Sequence, residues 1–143
     1  MGHPKRGWIV NVRWPQAHTE GREQFGHPSR PFLLLSPDEM IRLGMAMGVP
    51  VTRKDSVTRT PWRSFAVRFE REDLVNPGGN LDPGYLLVHQ ARVIDLTARH
   101  KGAALPFHVG TLDGPTMRRV EAAMSDWLGF GTLPKPALQT DGR

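Results

Sequence analysis

The chain predicts a mainly β domain of α+β type: a small, strongly curved antiparallel sheet or partly open barrel, with one helix near its C-terminal end. Three observations carry this. Short apolar segments recur along the chain, most of them alternating with period two and each closed by turn residues. Gly 15 and Pro 13 in 143 residues are too many breakers for a helical bundle. A helical period is held in one long stretch alone, around Met117 to Leu128.

Met1 to Arg6 is short and basic. Gly7 to Trp14 (GWIVNVRW) sets Trp8, Val10 and Val12 against Ile9, Asn11 and Arg13, which predicts a strand with one buried and one mixed face, ended by Pro15. Gln16 to Ser29 is a polar loop longer than the usual connection, and such loops in compact domains are often functional. Pro31 to Ser36 reads as a buried strand. Ser36-Pro37-Asp38-Glu39 reads as a helix start, with Ser36 as N-cap and Glu39 completing a capping box. Gly44 to Thr52 is an apolar third strand, and Pro50 inside it implies a bulge or an edge position.

Arg53 to Arg63 (RKDSVTRTPWR) is expected to be a second long, basic loop. Ser64 to Glu70 alternates Phe65, Val67 and Phe69 against Ala66 and Arg68, as a half-buried strand does. Glu72 to Gly84 is turn chemistry. Tyr85 to His89, Gln90 to Leu96 and Leu105 to Leu112 complete the sheet. Met117, Val120, Met124, Trp127 and Leu128 then fall on one helical face, with Pro115 at the first position, Asp113 or Gly114 as cap and Gly129 past the end. Residues 1–130 therefore form one domain, and 131–143, with two prolines and no apolar period, reads as a disordered tail.

Composition narrows the function classes. No apolar run approaches the roughly 18 residues of a membrane span, and none near Met1 reads as a secretory signal. There is no cysteine, which excludes disulfides and thiolate metal sites and is compatible with a reducing cytoplasm. The six histidines show no close ligand spacing, so neither a metal nor another cofactor is expected. The formal charge of +5 favours a polyanionic partner.

Candidate chemistry gathers at the start of the second strand and the end of the third. Arg30 stands where the first loop meets its strand, Thr52 ends the third strand, and Glu23 lies on the loop. If the two strands are antiparallel neighbours, Arg30 and Thr52 share one end of the sheet. A carboxylate, a guanidinium and a hydroxyl then suit cleavage of RNA by its own 2′-OH: Glu23 takes the proton, Arg30 pairs with the phosphate and Thr52 bonds a non-bridging oxygen. A solvated turn and a β-branched strand end contain the same residues, so spacing alone leaves both readings open. Arg53, Lys54, Arg59 and Arg63 are the candidate phosphate track. Trp62, with Trp14, is placed to stack on bases, whereas Trp8 and Trp127 read as core or dimer interface. His27 and His89 are acid–base alternatives to the carboxylate, or ordinary surface histidines.

The order GREQFGHPSRPFLLLSP, VPVT and HQARVID, preceded by RGWIVNV, resembles the MazF/PemK toxins of bacterial toxin–antitoxin systems, over about Arg6 to Phe130. The resemblance implies an SH3-like barrel of the type shared with CcdB, and a cytoplasmic homodimer. It implies a metal-independent, sequence-specific endoribonuclease that cuts single-stranded RNA and inhibits growth. It implies a cognate antitoxin whose acidic, disordered segment folds over the active-site groove, with DNA binding in its company. Arg30 and Thr52 fall on the family's catalytic arginine and threonine, Glu23 on the acidic residue proposed as proton acceptor in some members, and Gln24 and Gln90 on polar positions near the RNA path. His89 stands where many members carry an aspartate. A gyrase poison, or a non-catalytic binding module on the same barrel, is the rival class, and it has no need of Arg30 together with Thr52.

Overall fold

The computed structural model describes residues 4–13, 29–75, 81–96 and 107–130. Seven strands form one curled antiparallel sheet: β1 Trp8–Arg13, β2 Ser29–Leu34, β3 Met45–Thr52, β4 Ala66–Phe69, β5 Gly84–Leu87, β6 Arg92–Asp95 and β7 Phe107–Thr111. Among the described residues two α-helices join them, α1 Asp38–Arg42 and α2 Gly114–Trp127. The strand order is β4-β5-β3-β2-β1-β7, and β6 also pairs with β3. One edge of β3 is thus taken by β2, while the other is shared by β6 and then β5.

That sharing explains Pro50, which sits in neither a bulge of β3 nor an edge strand. The Met47 carbonyl accepts from the Leu35 N–H on the β2 side, so odd-numbered residues of β3 aim their amides at β2 and even-numbered ones at the opposite edge. Pairing with β6 ends at Gly48↔Arg92, and pairing with β5 starts at Val51↔Leu86. The missing donor of Pro50 faces the gap between them, where no ladder bond is lost.

Both faces of the sheet are buried. Ile9, Leu33, Val49, Phe69 and Leu86 belong to the larger core, under α2. Val10, Val12, Phe32, Leu34, Ala46 and Ile94 form a second cluster on the opposite face, covered in part by Ile41 of α1. On the mixed face expected of β1, Ile9 is fully buried in the larger core and Asn11 is half-buried.

The local signals divide. In α2, Asp113 is the N-cap and its carboxylate accepts from the Thr116 N–H at 2.9 Å. At the other end Gly129 has φ +84°, and the N–H groups of Phe130 and Gly129 donate to the carbonyls of Ser125 and Asp126, a Schellman closure. The capping box at α1 does not form. Pro37 occupies the cap position without a side-chain bond, and the Ser36 hydroxyl instead accepts from the Met47 N–H of β3 at 2.8 Å. A part-buried strand amide and a helix start competed for one hydroxyl, and the strand took it.

Three further expectations change. Arg53 to Arg63 holds the 3₁₀ turn Ser56–Arg59 and the start of a second, Pro61–Phe65, which also takes Ser64 and Phe65 from the expected strand. The fifth strand stops at Leu87, so His89 lies in a 3₁₀ turn, Val88–Gln90. Trp127 and Leu128 continue the apolar stripe of α2 but remain 40% and 56% exposed, because that end of the helix meets the 3₁₀ turns rather than the sheet. Residues 131–143, read as a tail, lie outside the described residues. Among the described residues no helix is long and apolar enough to cross a membrane.

Candidate active site

Directly paired residues of antiparallel strands point to the same face. Phe32↔Pro50 is the last pair of β2 with β3, and the same register two residues further falls on Arg30 and Thr52. Arg30 pairs with Val12 on β1, and Thr52 with Tyr85 on β5. Tyr85 in turn pairs with Arg68 on β4, whose guanidinium lies 5.2 Å from the Tyr85 ring centre. Arg92 pairs with Gly48. Arg30, Thr52, Arg92, Tyr85 and Arg68 therefore all project from the face that carries the second apolar cluster.

Arg30 is half-buried, and its pKa is pushed below the ordinary guanidinium value, first by burial and then by the charge of Arg92. An arginine still keeps its proton at neutral pH, so the site holds two like charges near each other. Such a site attracts anions. Thr52 accepts from the Lys54 N–H at 3.2 Å, which occupies oxygen lone-pair density and leaves the hydroxyl hydrogen to donate elsewhere. Its backbone is set by Gly84: a β-carbon there would overlap the Thr52 carbonyl oxygen. Glu23 and Gln24 lie outside the described residues, as do Trp14 and His27.

The basic segment is less bare than its sequence. Arg53 pairs with Asp82 at 3.0 Å and Arg59 with Asp55 at 3.6 Å. Arg63 donates to the Thr60 carbonyl at 3.3 Å. These exposed contacts are weak, so the side chains can exchange them for a phosphate at small cost.

Beside this segment is an aromatic cluster. The rings of Trp62 and His89 stack, 5.7 Å apart at 14°. Trp127 meets Trp62 edge-on at 6.1 Å and Phe65 at 5.1 Å. Trp62 is 46% exposed, so part of this side chain reaches solvent. Burial pushes the His89 pKa down, and its Nδ1 is buried without a hydrogen-bond partner among the described residues. Gln90 lies alongside, its amide nitrogen 3.5 Å from His89 Nε2. Trp8 stacks on His108 at 3.8 Å, away from this cluster and over the second apolar core.

Sequence reading missed Arg92, Tyr85 and the part of Trp127 in this cluster. Arg92 carried one legible signal, its period-two spacing from the buried Ile94. Nothing in the sequence told which strand β6 would join. Among the described residues no group of histidines and carboxylates is arranged to hold a metal ion.

A small curled antiparallel half-barrel, one helix across its inner face and arginines converging on its outer face define a compact anion-attracting domain. The family model of PemK-like, MazF-like toxins of type II toxin–antitoxin systems matches residues 5–128, and the chain belongs to that family. A search of curated proteins returns no match. Among solved structures, the fold is similar to MazF from Deinococcus radiodurans, at 22% identity and TM-score 0.62 over 90% of this chain and 99% of that one. A MazE–MazF crystal structure from the same organism gives 21% identity and TM-score 0.63 over 90% and 98%. A mycobacterial endoribonuclease in complex with its cognate antitoxin gives 18% and 0.57 over 94% and 100%.

Proposed function

We propose that this toxin is an endoribonuclease that cuts single-stranded RNA without a metal ion. The observation that supports the reading is the β2–β3 register: extended two residues beyond its last pair, Phe32↔Pro50, it falls on a half-buried arginine and a strand-end hydroxyl. The ribose 2′-oxygen attacks the adjacent phosphorus and the bond to the 5′-oxygen breaks. The 2′-hydroxyl proton passes to a base, and the departing 5′-oxygen gains a proton, leaving a 2′,3′-cyclic phosphate and a 5′-OH. Because the nucleophile is part of the substrate, the protein has only to stabilise charge and move protons. Arg30 pairs with the phosphate and Thr52 donates to a non-bridging oxygen. Glu23 is the proposed proton acceptor.

Gln24, Arg53, Lys54, Arg59, Arg63, His89 and Gln90 line the proposed RNA path, with Trp62 as a stacking platform. Solved relatives titled as MazE–MazF and as an endoribonuclease with its cognate antitoxin support an antitoxin as the protein partner. An acidic antitoxin segment suits the same arginines, and the active unit is a homodimer. The test is incubation with mixed RNA in excess EDTA, followed by mapping of the cut ends. Cleavage leaving cyclic phosphates and 5′-OH ends is expected. Intact RNA, or cleavage that requires added metal, overturns the reading.

A further inference from the structure

We propose that Arg92 holds the phosphate next to the one being cut, and so sets the register of the RNA strand over Arg30 and Thr52. This rests on the nuclease reading above and adds a residue to it.

The geometry begins at Gly48, which stands between Leu34 of β2 and Arg92 of β6 in one row across the sheet. A β-carbon on Gly48 would overlap Ile94 Cδ1 and come within 3.3 Å of Phe32 Cδ2. The space that Gly48 leaves empty is therefore filled from both sides, by Phe32 and by Ile94. Phe32 is two residues from Arg30 and Ile94 two residues from Arg92, so each arginine shares a face with the ring or methyl group that closes the seam. Along β3 the row of Phe32 and Pro50 lies between the Thr52 end, where Arg30 stands, and the row of Gly48 and Arg92, so the two arginines stand on either side of Phe32.

They are not equivalent. Arg30 is half-buried at the Thr52 end, whereas Arg92 is exposed, and its Nε donates to the Gln90 carbonyl at 3.4 Å. Along β3 the register separates their rows by four residues, Gly48 to Thr52. Strand rise makes that about 13 Å between rows before the long side chains close the distance. Two guanidiniums carried on separate rows are met better by two consecutive phosphates of an RNA strand than by one. Like charges held on one face repel, and a chain of phosphates laid across both relieves the repulsion. Arg92 is accordingly a positioning residue, and its loss should weaken substrate binding more than turnover.

The test uses the full-length protein and a hexanucleotide spanning the mapped cut, with 2′-deoxyribose at the cut to block cleavage. Each phosphate in turn is replaced by a neutral methylphosphonate, and binding is measured with the parent protein, Arg92→Gln and Arg92→Lys. Arg92→Gln should bind the unmodified strand about tenfold more weakly, with the salt slope of log Kd reduced by about 0.7. Arg92→Lys should recover the slope. Neutralising the flanking phosphate should weaken the parent and leave Arg92→Gln unchanged. Additive effects at every phosphate overturn the proposal, and so does non-additivity confined to the scissile one. A parent that cuts RNA while the cycles stay additive overturns Arg92 alone. A parent that neither binds nor cuts overturns the nuclease reading and this inference with it.

Discussion

Gly84 and Thr52 are in direct apposition: the β5 backbone passes so close to the end of β3 that a β-carbon on Gly84 would overlap the Thr52 carbonyl oxygen and lie 3.1 Å from its carbonyl carbon. Neither neighbour is the tip of a flexible side chain, so the backbone itself would have to move. Gly84→Ala is expected to destabilise the fold by about 1–3 kcal/mol, measured by urea unfolding. It should also reduce RNA cleavage beyond that loss, when assayed under conditions where the variant is fully folded. A variant with parental stability and activity would show that Thr52 is not held by this contact.

Arg30 and Thr52 should respond differently to conservative changes. Arg30→Lys keeps the charge but loses the planar fork, and kcat is expected to fall about hundredfold. Thr52→Val keeps the shape and removes one donor, with an expected loss of about tenfold to hundredfold, the range for a hydrogen bond to a charged group. Both proteins should keep the parental circular dichroism spectrum. Single-turnover cleavage equal to the parent in either would remove that side chain from the reaction.

What was legible in the sequence follows from where information is local. The cap of α2 was readable because Asp113, Thr116 and Gly129 act within one turn of the helix they bound. The alternation of Val67 and Phe69 located β4 and its buried face for the same reason. Pairing across the sheet was not readable in this way. Arg92 owes its place on the Arg30 face to β6 joining β3 beside Gly48, a contact between residues far apart in the chain. The aromatic cluster was hidden for a related reason, since Trp62, His89 and Trp127 come from three separate segments. Ser36 shows the opposite failure: a complete local signal was overridden by the demand of a strand amide eleven residues away.

That competition is itself testable. Asp113→Ala removes the acceptor for the Thr116 N–H and should cost about 1 kcal/mol of stability. Ser36→Ala should cost about the same, but by leaving the Met47 amide without its partner rather than by fraying α1. Hydrogen exchange separates the two causes. Exchange of the Met47 amide should accelerate in Ser36→Ala, with the amides of α1 unchanged. The reverse pattern would restore Ser36 as a helix cap.

His89 makes the stability of the fold depend on pH. Its imidazole lies between Trp62 and Trp127, neither of which carries a charge, and burial holds its pKa below the ordinary value. The unfolded chain returns it to about 6.5. Between the two values the unfolded state binds the extra proton, so stability falls as the medium becomes more acidic. The contribution of neutral His89 is present above about pH 6.5 and is lost progressively as pH drops through the folded pKa. His89→Phe keeps a ring against Trp62 and abolishes the titration. The parent should therefore lose stability relative to His89→Phe when urea unfolding is compared at about pH 7.5 and about pH 5. Equal losses in the two proteins would mean that His89 titrates alike in both states, and that its place among the indoles does not keep it neutral.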